Sequence, residues 1–181
     1  MTMPFAITAG TYSTAPTLTT CESWQWLHRP VSSPRRKPRR LLTEPIVATL
    51  TLPCSEVIVE VHQPEPAWLY PALSRFQYLS RLDENWDTYG GSPLSDDAIY
   101  TALSIIARLL RDDSAPPAIV PTSEGGVQLE WHRAGDELEI RVAPSGAISA
   151  FRCNEVAGEM AEIEQVSLTD LRPLVELAGP I

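Results

Sequence analysis

Four side chains of the types that do acid–base or metal chemistry stand on or beside the alternating runs of this sequence. They are Asp87, Glu130, His132 and Glu139. Val127-Gln128-Leu129-Glu130-Trp131-His132 and Glu137-Leu138-Glu139-Ile140-Arg141-Val142 both alternate apolar with polar residues, the pattern of half-buried strands. If Arg133–Asp136 is the loop joining them, Glu130 lies opposite Glu139, His132 opposite Glu137, and Gln128 opposite Arg141. Directly opposed carboxylates repel at a cost of about 0.2–1 kcal/mol. An arginine (Arg141 or Arg152), a divalent cation or plain hydration must then relieve Glu130 and Glu139. Oxygen ligands with one imidazole suit a hard or borderline cation. With Asp87, the set Glu130, His132 and Glu139 therefore defines one class of reading: a metal-dependent hydrolase or nuclease. The competing reading is that these are solvated residues on the wet face of a sheet.

Other chemistry has less footing. No Ser or Cys stands in a glycine-framed elbow, and His28, His62 and His132 lie in unrelated contexts. Gly125-Gly126 leads into a strand rather than a helix, which suits a turn better than a phosphate cradle. Cys21, Cys54 and Cys153 have no metal or disulfide spacing and read as reduced thiols. Nothing calls for a bound cofactor.

The stretch Leu82–Ser95 is unusual for a connection between two helical patterns, which usually runs about 2–8 residues. It holds Trp86 and Tyr89, acids including Asp87, Asn85 and the pair Gly90-Gly91. The structural expectation is that Trp86 and Tyr89 plug the gap between helices and sheet, while Asn85 and Asp87 bond the loop's own backbone. The functional expectation is that part of this loop, with the polar sheet face, forms a protein-docking patch of Trp86, Asp87, Tyr89, Glu130, His132 and Glu139.

Charge divides the chain. Residues 1–45 are net +4 and the remainder net −13, giving −9 overall. The cations concentrate in Arg35, Arg36, Lys37, Arg39 and Arg40, a run able to meet nucleic acid or an acidic protein. The acidic body argues against gripping nucleic acid outside that run. It suits a protein partner, a basic one by charge, such as an antitoxin or immunity protein would mask.

The elements that must position these residues follow from periodicity. Residues 1–45, rich in Thr, Ser, Pro and Arg, read as a disordered arm, though Trp24 and Trp26 could dock on something. Residues 46–181 read as a single α+β domain. It begins with a hairpin over 46–61, followed by a helix from Leu69 to Leu82 and a second helix capped by Ser95. The second helix carries its apolar stripe on Ile99, Ala102, Leu103, Ile106, Leu109 and Leu110. An antiparallel meander runs from Ala118 to Arg152, with the two-helix unit packed on one of its faces. Glu155–Glu164 is ambiguous, and Ser167–Asp170 resembles a capping box opening a last short helix. There is no apolar run long enough to span a membrane and no positive n-region at the start, so the expected location is the cytoplasm.

Asn85-Trp86-Asp87-Thr88-Tyr89-Gly90, followed by a helix and then by Gly125-Gly126-Val127-Gln128-Leu129-Glu130-Trp131, resembles a group of small bacterial proteins without an assigned activity. They share an Asn-Trp-Asp-x-Tyr-Gly loop and a Gly-Gly-x-Gln-Leu-Glu-Trp strand. The resemblance covers roughly residues 70–152 and implies no catalytic residue.

Overall fold

The period-two runs of the sequence become strands and the period-3.6 runs become helices. In the computed structural model, which describes residues 5–11, 46–61, 65–111 and 114–178, there are two antiparallel sheets and three helices. In order they are β1 (Phe5–Thr11), β2 (Ile46–Thr51), β3 (Ser55–Val61), α1 (Leu69–Leu79), α2 (Asp96–Leu109), β4 (Ala118–Pro121), β5 (Val127–Arg133), β6 (Asp136–Val142), β7 (Ile148–Asn154), β8 (Glu159–Val166) and α3 (Arg172–Ala178).

The expected hairpin forms as β2–β3, and its alternation is complete: Val57, Val59 and Val61 are fully buried. Its other edge is not left to solvent. Phe5–Thr11, inside the segment expected to be a disordered arm, pairs with β3 from Phe5↔Val61 to Thr11↔Ser55, so the sheet order is β1-β3-β2. The cause is tertiary: a central strand with one bonded edge gains a ladder of backbone hydrogen bonds by recruiting a second neighbour. Residues 12–45, including Trp24, Trp26, Arg35, Arg36, Lys37, Arg39 and Arg40, lie outside the described residues.

In α1, Leu69, Ala72, Phe76 and Leu79 are buried as their spacing requires, and the helix stops at Leu79 rather than Leu82. The preceding Trp68 is also fully buried. The narrow stripe expected for α2 is too modest. Ala98, Ile99, Thr101, Ala102, Leu103, Ser104, Ile105, Ile106 and Ala107 are all buried, and a helix buried all round lies between layers. It touches β5 and β6 of one sheet and β1 of the other, while α1 contacts β2 and β4. The α+β architecture is thus a helix layer between a three-stranded and a five-stranded sheet.

The five-stranded sheet is a simple meander, β4-β5-β6-β7-β8. Its helix-facing residues Val127, Leu129, Trp131, Leu138, Ile140, Val142, Ile148 and Ala150 are buried. The ambiguous acidic segment becomes β8, whose Ala161 and Ile163 alternate with Met160 and Glu162 and pair with β7. The capping box does not form. Ser167 bonds Thr169, and Asp170 instead receives the Arg172 N–H at the start of α3. No described helix is long and apolar enough to cross a membrane.

Candidate functional site

The Asn85–Gly91 loop is held by its own polar side chains. Asn85 Oδ1 accepts the Gly90 N–H at 2.8 Å, and Asp87 Oδ1 accepts the N–H groups of Tyr89 and Gly91, each at 2.8 Å. The Asn85 N–H donates to Gly91 O at 2.7 Å and the Thr88 N–H to Asn85 O at 3.0 Å, closing the loop on itself. This is the self-bonded arrangement expected of Asn85 and Asp87. The amides of Tyr89 and then Gly91 hold the Asp87 carboxyl below its ordinary 3.8. Gly91 leaves room for that carboxylate, since a Cβ there would sit 2.8 Å from Asp87 Cγ. Closure requires left-handed backbone at Asn85 (φ 64°), Thr88 (φ 66°) and Gly90 (φ 92°). For Thr88, a β-branched residue, that conformation is strained.

The loop is also bolted to the sheet. Trp86 Nε1 donates to Ser92 O at 3.0 Å, and the Ser92 and Ser95 N–H groups donate to Ser123 O and Gly125 O. The Ser95 hydroxyl, rather than capping α2, donates to Pro144 O at 2.7 Å. These contacts place the loop at the β4–β5 and β6–β7 turns. The aromatic plug is therefore half realised: Trp86 is half-buried, but Tyr89 is 93% exposed. The left-handed turn at Thr88 swings the next side chain outward.

The polar sheet face has the register its sequence implies: Glu130↔Glu139, His132↔Glu137 and Gln128↔Arg141, with the strands running through Arg133↔Asp136 and only Ala134-Gly135 left as the turn. Its groups bond one another in a chain. His132 Nδ1 lies 2.8 Å from Glu137 Oε1, and His132 Nε2 lies 3.4 Å from Glu130 Oε2. Gln128 Nε2 donates to Glu130 Oε1 at 2.8 Å, and Arg141 Nη2 reaches Gln128 Oε1 at 3.2 Å and Glu139 Oε1 at 3.5 Å. Glu130 and Glu137 together raise the His132 pKa above its ordinary 6.5. The Glu130–Glu139 repulsion is thus relieved by a histidine on one side and Arg141 on the other. Arg152 serves elsewhere, bonding Asp136 at 3.0 and 2.6 Å and Leu177 O at 2.8 Å. Asp136 is held below its ordinary pKa by that guanidinium.

Asp87 does not join this face. Its carboxylate is spent inside the loop on the Tyr89 and Gly91 amides. Among the described residues no three His, Cys, Asp or Glu side chains are grouped as metal ligands would be. A shallow depression of about 200 Å³ at the β5–β6 turn, lined by His132, Arg133, Asp136, Glu137 and Glu155, is smaller than the roughly 300–1,000 Å³ that hold small molecules. Sequence reasoning placed Glu130 opposite Glu139 and His132 opposite Glu137, as the strands pair them. It missed Thr88, whose backbone conformation aims Tyr89, and the whole of β8.

No family model, curated protein or solved structure matches the chain.

Proposed function

We propose that this chain is a non-enzymatic accessory protein that acts by holding another protein, in the manner of an antitoxin or immunity protein, with the Asn85–Gly91 loop as its docking element. The observation that carries this reading is Tyr89, a large aromatic almost wholly exposed on a loop whose backbone is already fixed. Tyrosine is among the residues enriched at interface hot spots. A side chain offered on a rigid support loses less conformational freedom on binding than one on a floppy loop. Exposed Asp83 and Glu84 lead into the loop, favouring a partner with a basic rim.

Tyr78 is the internal control. It is also exposed, at 61%, but lies on α1 with Arg75 5.5 Å over its ring. A photo-crosslinking amino acid at position 89, introduced in the native host, is expected to capture one defined protein, and the same group at position 78 is not. Untagged wild-type chain should compete that product away, whereas Tyr89→Ala should not. Equal capture at both positions, or equal competition by Tyr89→Ala, would remove the loop from the interface.

A further inference from the structure

An edge strand presents N–H and C=O groups that have no neighbour to bond, and proteins usually blunt such edges. The two open sheets of this chain have four edges: β1, β2, β4 and β8. Side chains from the helices reach the first three. Tyr100 Oη donates to Ile7 O of β1 at 3.4 Å, Gln77 Nε2 to Thr51 O of β2 at 3.2 Å, and Arg75 Nε to Ile119 O of β4 at 2.9 Å. β4 is also short and ends in Pro121, which has no N–H to offer.

β8 differs in every respect. Among the described residues it is the longest strand, eight residues, and no group outside β7 bonds its backbone. Helix α3 packs on β8 and β7 with Leu174 and Ala178 buried, and among the described residues it makes no hydrogen bond to the β8 backbone. A register irregularity and the left-handed Gln165 (φ 54°) break the far end, so the regular edge is Glu159–Ile163. Its side chains are exposed up to the half-buried Ile163: Glu159 and Glu162 carry charge, and Met160 is 76% exposed.

We propose that the β8 edge, Glu159–Ile163, receives an added strand: an extended segment of another protein with Lys or Arg three positions apart, one on each face. The unpaired backbone supplies the ladder, and Glu159 on one face and Glu162 on the other choose the sign of the side chains laid beside them. A second copy of this chain fits poorly, because it would bring two acidic β8 strands together. The chain's own basic run fits poorly too, since Pro34 and Pro38 interrupt its N–H groups. The edge belongs to a different part of the surface from Tyr89, so it stands or falls independently of that loop.

The test uses the full chain and a short valine-rich peptide with lysines three residues apart, with the same peptide N-methylated on alternate amides as control. Calorimetry and hydrogen exchange are read together. The unmethylated peptide is expected to bind and to slow exchange in Glu159–Ile163, and the methylated one, of equal charge, is not. Glu159→Lys with Glu162→Lys should weaken the lysine peptide roughly tenfold and favour a glutamate–valine counterpart. Equal binding of the methylated peptide, or protection that maps away from β8, would overturn the proposal. So would protection already present in the chain alone, which would put this chain itself on the edge.

Discussion

The Asn85–Gly91 loop and the polar face of the five-stranded sheet hold the same kinds of residue to opposite effect. On the sheet, Glu137, His132, Glu130, Gln128, Arg141 and Glu139 bond one another in a line across two strands. In the loop, Asn85 and Asp87 bond only backbone, and the aromatic between their partners is turned out to solvent. Polar side chains are therefore bonded to one another where they cluster on the sheet, and the exposed group of the loop is a tyrosine whose N–H is held by Asp87. Self-satisfied polar groups organise a surface; they do not by themselves make a reactive site.

The contrast is broken most severely at the bolt between loop and sheet. Gly125 sits at φ +87°, and a Cβ there would lie 2.6 Å from Pro93 O, a backbone atom that cannot swing away. Gly125→Ala is expected to lower unfolding free energy by about 3 kcal/mol, combining backbone strain with overpacking. Urea denaturation measures it, and a loss below about 1 kcal/mol would mean that the loop is not fastened there. Tyr89→Ala, by comparison, should leave the urea midpoint within about 0.5 kcal/mol of wild type, because an exposed side chain has little to lose on the folded side.

Next comes the clasp. The amides of Tyr89 and Gly91 depress the Asp87 pKa, so the stabilisation it contributes is present above 3.8 and is lost as pH falls through its lower folded value. The amide proton shifts of Tyr89 and Gly91 should move together in that acid window, and in Asp87→Asn the movement should vanish. Titration of both amides centred at or above 3.8 would show that the clasp is not formed.

Much of this was readable from residue order. The β5–β6 register was legible because both strands alternate strictly and a one-residue slip would turn every apolar side chain outward. The roles of Asn85 and Asp87 were legible because short polar side chains satisfy nearby backbone in tight turns. Tyr89 was not: residue type pointed inward, but the left-handed Thr88 sets the direction, and a Thr does not advertise that conformation. Nor was β1, since Phe5–Thr11 sits in linker-like sequence and is ordered by a strand some fifty residues later. α2 looked one-sided because Thr101 and Ser104 break its apolar pattern, yet both are buried between the two sheets.

On the sheet face the expected effects are smaller. Glu130 and Glu137 raise the His132 pKa, so this histidine adds stability below 6.5 that disappears as pH rises through its higher folded value. Its imidazole should titrate above 6.5 by NMR, and Glu130→Gln with Glu137→Gln should return it to the ordinary range. A His132 midpoint unchanged by that pair of substitutions would mean the carboxylates do not hold the ring.

The smallest effect decides what the acidic pair is for. Glu139 opposes Glu130 but is already offset by Arg141 at 3.5 Å, and its side chain is more than a third exposed. Glu139→Gln removes a repulsion and a screened ion pair together, so stability should change by about 0.5 kcal/mol or less in either direction. Were Glu130 and Glu139 instead forced together for a bound cation, the substitution would stabilise the apo chain by more than that and would abolish a melting shift with magnesium, manganese or zinc. Thermal melts of both chains with and without each ion separate the cases. The line of hydrogen bonds and ion pairs from Glu137 to Glu139 predicts the first outcome, because carboxylates already matched to His132 and Arg141 gain little from losing one charge.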